Sequence, residues 1–165
     1  MTEVLGVPLH AALVHFPIAA SVFGLAGLAT ALLRPASRRR PWLAGAALLF
    51  LAAALTGSAA AVTGRGWAES SGLLPGGGWV PSRELQEGLP FRHALLGLGA
   101  TGASLVSAVA AFRAFRSGRG AVLAFLLALA TAALALSAGH AGGLLVHAPE
   151  PARAGHLSDA PRAAS

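Results

Sequence analysis

The sequence predicts an all-α fold, an integral membrane four-helix bundle, and three observations predict it. Of the 165 residues 55% are hydrophobic and 11% charged, with a mean hydropathy of +0.68, whereas an average soluble domain is about a quarter charged. In water such a chain would strand much of its apolar surface. Four apolar runs, at residues 13–33, 42–63, 94–112 and 121–146, each supply the roughly twenty residues that cross about 30 Å of hydrocarbon, and none contains an arginine or carboxylate. The basic charge alternates between loops. Arg34, Arg38, Arg39 and Arg40 fill the first short loop, and Arg113, Arg116 and Arg119 fill the third. By the positive-inside rule that side is cytoplasmic, so both termini and the 64–93 loop face outward from a bacterial inner membrane.

Each element has its own reasons. The opening "MTEVLGVPLH" lacks a basic start, and the run after it is too long for a secretory signal peptide, so it reads as a first span. Pro17 cannot donate a helical hydrogen bond, so this helix either kinks there or begins there, turning the "HAALVH" segment over the bundle mouth. Trp42 on the inner side, with Trp67 and Trp79 on the outer, suits interfacial anchoring. Gly24, Gly27, Gly57, Gly97, Gly99 and Gly102 are expected to give small faces along which helices approach. "GLGATG" at 97–102 has the spacing of a dinucleotide fingerprint but follows no strand and lies inside a span, so it reads as packing surface. Within the 64–93 loop, "PSRELQEG" suggests a short helix with Ser82 as N-cap. The bundle domain is residues 1–147, and the Pro-, Ala- and Arg-rich tail 148–165 reads as disordered.

Composition also excludes. With no cysteine there are no disulfides, thiolate zinc sites, iron–sulfur clusters or covalent c-type haem. The net charge of +6 is all arginine, and seven of the twelve basic residues lie in the two loops above, where they set topology instead of binding nucleic acid.

The histidines carry the functional signal. His15 lies 18 residues from Leu33, His93 19 from Phe112, and His140 19 from Ala121. A rise of about 1.5 Å per residue places all three at roughly one depth, near the outer edge of the hydrocarbon. His10 and His147 suggest a second, more superficial level, while His156 belongs to the tail. Imidazoles at membrane depth are costly and tend to mark function, so His15, His93 and His140 are expected to face a shared site.

Neutral imidazole is a good axial ligand for haem iron, and bundles hold cofactors between facing helices. A b-type haem needs two opposed histidines and a slot, which Gly97, Ala138, Gly139, Gly142 and Gly143 could widen. A three-histidine zinc or copper site competes. Hydrolysis is disfavoured, because the nearby carboxylates Glu69, Glu84 and Glu87 all sit in the outer loop. A proton relay stays open.

These motifs resemble a known family. "HAALVHFPIAA", the lone histidine of "FRHALLGLG" and the closing "GHAGGLLV" resemble the prokaryotic membrane-protein family called domain of unknown function 2231, over about residues 8–147. Its signature is similar to an H-P-x-x-V-H-F-P-I opening and a G-x-x-G-G-x-L-V ending. His10, His15, Phe16, Pro17, His93, Gly139, Gly142 and Gly143 carry the match. Ala11 departs from it where proline is usual, "HAPEPARAGH" follows where an aromatic and a His–Gly stretch are common, and "GRGWAE" matches only loosely. The resemblance implies a four-helix membrane module without an assigned reaction, some of whose members are joined to cytochrome c or other redox domains. By analogy it favours haem or quinone electron transfer.

The resulting expectation is an outward-facing histidine site binding haem b. His15 and His140 are the axial pair. His93 is an alternative ligand or a propionate or quinone partner, and Arg92 is a propionate partner. Beyond the lipid bilayer, the expected partners are a quinone or redox protein, with an oligomer or larger complex open. The rivals are a histidine-ligated zinc or copper site and a non-catalytic membrane subunit whose histidines and glycines serve packing. Whether the chain is an enzyme stays open.

Overall fold

The computed structural model describes residues 3–4, 7–70 and 88–147. The suggested loop helix at Ser82, together with Trp79 and the tail, lies outside the described residues, as does the side chain of Trp67. A two-residue antiparallel ribbon, β1 (Glu3–Val4) with β2 (Val7–Pro8), precedes the helices. Then come α1 (Leu9–Leu13), α2 (His15–Leu33), a 3₁₀ turn at Ala36–Arg38, α3 (Arg40–Ser70), α4 (Leu89–Ser117) and α5 (Ala121–His147).

Of the two roles open to Pro17, the helix start is the one adopted. α2 begins at His15, so Pro17 falls in the first turn, where a backbone N–H has no intrahelical partner to lose. The break is slight. Val14 keeps right-handed helical angles and its N–H still reaches the His10 carbonyl at 3.1 Å, so α1 extends the axis of α2. Pro90 likewise occupies the first turn of α4, and Gly118 ends that helix in the left-handed region at φ +68°.

The helices pack in chain order, α2 on α3, α3 on α4 and α4 on α5, and α5 closes the ring against α2. The two arginine-bearing turns meet at one end of the bundle, where the Arg40 guanidinium lies 5.4 Å from the centre of the Phe115 ring. The other end carries the histidines. At the arginine end the core holds the large side chains Leu28, Leu43 and Phe50 among Ala111, Ala114 and Ala124. Towards the histidine end it is almost wholly small: Ala53, Ala100, Ala135 and Ala138, with Ser21 and Ser104.

Large apolar residues face outward on every helix, for example Phe23, Leu48, Leu105 and Leu126. That is the reverse of a water-soluble bundle, and it follows from lipid replacing water as the surrounding solvent. Four helices are long and apolar enough to cross a membrane, so the chain is a four-span integral membrane protein.

The glycines divide unexpectedly. Gly24 accepts the Phe50 ring so closely that a Cβ there would sit 2.8 Å from it, and Gly57 packs on Thr101. Gly97, Gly99 and Gly102, however, face open space, so within "GLGATG" the packing falls to buried Ala100 and to Thr101 instead of the glycines. A hydrogen bond between Ser107 and Thr131, 2.9 Å long and buried, joins α4 to α5 instead. The Thr131 hydroxyl donates to its own helix at the Leu127 carbonyl, so Ser107 is the donor across the interface.

Candidate functional site

The histidine end holds one cluster, built twice by the same device. His10 opens the first hairpin at α1, and its Nδ1 donates to the Ala60 carbonyl on α3 at 2.8 Å. His93 opens the second hairpin near the start of α4, and its Nδ1 donates to the Ala138 carbonyl on α5 at 2.9 Å. In both cases a glycine stands four residues beyond the accepting alanine, Gly64 after Ala60 and Gly142 after Ala138. Positions i and i+4 share one helix face, so the missing side chain bares the carbonyl beneath it. The ring then fills the vacated place. A Cβ at Gly64 would lie 2.7 Å from His10 Cε1, and one at Gly142 would lie 2.9 Å from His93 Cε1.

The two rings meet across the mouth of the bundle. Their centroids are 6.2 Å apart and their planes stand at 85°. Because α2 and α4 scarcely touch lower down, this pair closes the diagonal that the packing of neighbouring helices leaves open. A carbonyl oxygen only accepts, so each Nδ1 carries a proton, and in the neutral ring Nε2 is the atom with the lone pair. Neither Nε2 forms a hydrogen bond among the described residues.

The other expected site residues lie elsewhere. His15 is exposed, and its Nδ1 returns to the Ala11 carbonyl at 2.9 Å within the same helical segment. His140 is exposed beside Arg92 on a groove between α4 and α5. Gly139 serves packing, since a Cβ there would come within 2.8 Å of the Ile18 side chain, while Gly143 faces open space. The side chain of His147 lies outside the described residues.

Among the described residues no ring contact or hydrogen bond joins His15 or His140 to His93, and no three His, Asp or Glu side chains stand close enough to hold a metal ion. The convergence expected of His15, His93 and His140 is replaced by His10 with His93. His15 and His140 sit on exposed faces of their helices, whereas His10 and His93 are partly buried. One sequence signal pointed to the pair that meets: "HAAL" at 10–13 and "HALL" at 93–96 open the two hairpins alike, and each is followed on the next helix by an A-x-x-x-G.

No family model, curated protein or solved structure matches the chain, so the resemblance to the membrane family rests on the quoted motifs.

Proposed function

We propose that this four-span membrane protein holds one transition-metal centre between His10 and His93 and exchanges electrons at the histidine end of the bundle. The observation that carries the reading is the pair of lone-pair Nε2 atoms on rings whose Nδ1–H groups are each fixed by a backbone carbonyl. That is the outer-sphere arrangement by which proteins orient ligating histidines. The spacing supports it. Two metal–nitrogen bonds of about 2.0–2.1 Å, one to each ring, would set the ring centres roughly 6 Å apart, and the observed separation is 6.2 Å. Perpendicular ring planes are compatible with ligands on opposite sides of one ion.

Copper fits these residues better than haem b. A porphyrin also needs a free plane between the helices. The rings bond the carbonyls of buried Ala60 and Ala138, and Gly64 and Gly142 are already in contact with the imidazoles. Zinc fits least, because it favours four ligands and the described residues supply no third. A bound copper ion would supply one-electron exchange, and the chain's own part is to fix two neutral imidazoles in apolar surroundings.

The absence of a third ligand among the described residues favours one other reading, a clasp in which the rings merely tie diagonal helices together. The purified protein separates the two. Loaded with copper(I) and washed, it is expected to keep about one equivalent by elemental analysis, with two nitrogen neighbours by X-ray absorption. His10→Ala and His93→Ala should lose it, and His15→Ala and His140→Ala should keep it. A haem absorption band lost in the same two variants would transfer the site to haem. A folded protein that takes up neither group leaves the clasp.

A further inference from the structure

The exposed face between α4 and α5 carries a second feature, independent of the histidine pair. A groove there is lined by Leu89, Arg92, Leu96, Leu136, His140 and Leu144. Its floor is largely hydrocarbon, and its polar side chains, Arg92 from α4 and Ser137 and His140 from α5, come from different helices. Arg92 lies three residues inside the start of α4, and His140 lies seven residues before the end of α5. Because His93, next to Arg92, bonds the Ala138 carbonyl and packs on Gly142, the two side chains stand at about one level. Both side chains are exposed, and neither the guanidinium nor the imidazole has a partner among the described residues.

We infer that this groove seats an anionic phospholipid from the leaflet at the histidine end. Charge complementarity selects the occupant: Arg92 is the groove's one full charge, held where hydrocarbon gives way to headgroups, and a planar guanidinium binds phosphate through paired N–H donors. The neighbouring imidazole has an N–H to donate to an ester carbonyl of the same lipid. Leu96 and Leu136, deeper, line the path of an acyl chain. A snorkelling arginine alone needs neither an imidazole beside it nor a leucine-lined groove below it.

The test is native mass spectrometry of the full chain released from micelles doped with phosphatidylglycerol or phosphatidylcholine of identical acyl chains. The wild type is expected to retain the anionic lipid about tenfold better, the worth of one charge-assisted contact. Arg92→Gln should bring it down to the phosphatidylcholine level. His140→Ala should weaken both lipids alike, since their esters are the same, and Arg113→Gln at the opposite end should change nothing. Equal retention of the two lipids by the wild type, or an unchanged preference in Arg92→Gln, overturns the inference. A groove covered by a second copy of the chain, seen as a dimer that Leu136→Trp disrupts without altering lipid retention, overturns it as well.

Discussion

Replacing Gly142 by alanine tests the histidine architecture directly, because the structure gives opposite signs for two neighbouring glycines. At Gly142 the added methyl would lie 2.9 Å from His93 Cε1 and 3.2 Å from Nδ1, well inside contact distance. The ring must swing away, and its bond to the Ala138 carbonyl breaks with it. Interhelical hydrogen bonds in membranes average about 0.6 kcal/mol with a maximum near 1.7, and overpacking adds about 1–3 kcal/mol. Better helix propensity returns about 1 kcal/mol. The net expectation is a loss of about 1–3 kcal/mol.

Gly143 is on the same helix, is exposed and meets nothing within 4 Å, so Gly143→Ala collects only the propensity gain. Equilibrium unfolding in mixed detergent micelles, with both variants beside the parent, measures the difference. The nitrogen-bound proton of His93, seen by NMR, reports the lost hydrogen bond separately. If Gly142→Ala is as stable as Gly143→Ala and keeps that proton, the ring is not seated in the glycine notch and the account of the site fails.

Other consequences follow from the same coordinates. The Ser107–Thr131 bond should give a coupling energy of about 0.6 kcal/mol, and no more than about 1.7, in a double-mutant cycle of Ser107→Ala with Thr131→Val. Ser21 is fully buried and its hydroxyl has no hydrogen-bond partner, so Ser21→Ala should raise stability by about 1 kcal/mol in the same unfolding assay, and a clear loss would show a hidden partner. The chain has no cysteine, so single cysteines at Ser37 and Gly66 can report sidedness. With the arginine end in the cytoplasm, a membrane-impermeant thiol reagent should label Gly66→Cys in intact cells and Ser37→Cys only after the membrane is opened.

The spans were legible because their signal is one of length and composition, which requires no knowledge of neighbours. Their ends were not. α3 runs on to Ser70 and α4 starts at Leu89, beyond the expected 63 and 94, because the backbone's need for internal hydrogen bonds outlasts the apolar stretch. Depth was legible only in part, since counting residues set His10 a level above His93, yet the two rings meet.

Azimuth was the missing coordinate, and the usual guide to it fails here. With alanine and leucine on every side there is no polar face to mark the outside. Size marks it instead. Seven residues are nearly two turns, so positions seven apart share a face. On α4 the series His93, Ala100, Ser107, Ala114 is small, and its last three members are buried. On the first span His10 is followed at fourteen-residue intervals in the same register by buried Gly24, then a further seven by buried Ala31. His15 shares its face with exposed Val22, and His140 with exposed Ala133 and Leu126. In a solvent of acyl chains, the histidines that turn inward are those whose register carries alanine, serine and glycine without a large aliphatic residue, because only small side chains let helices close around an imidazole.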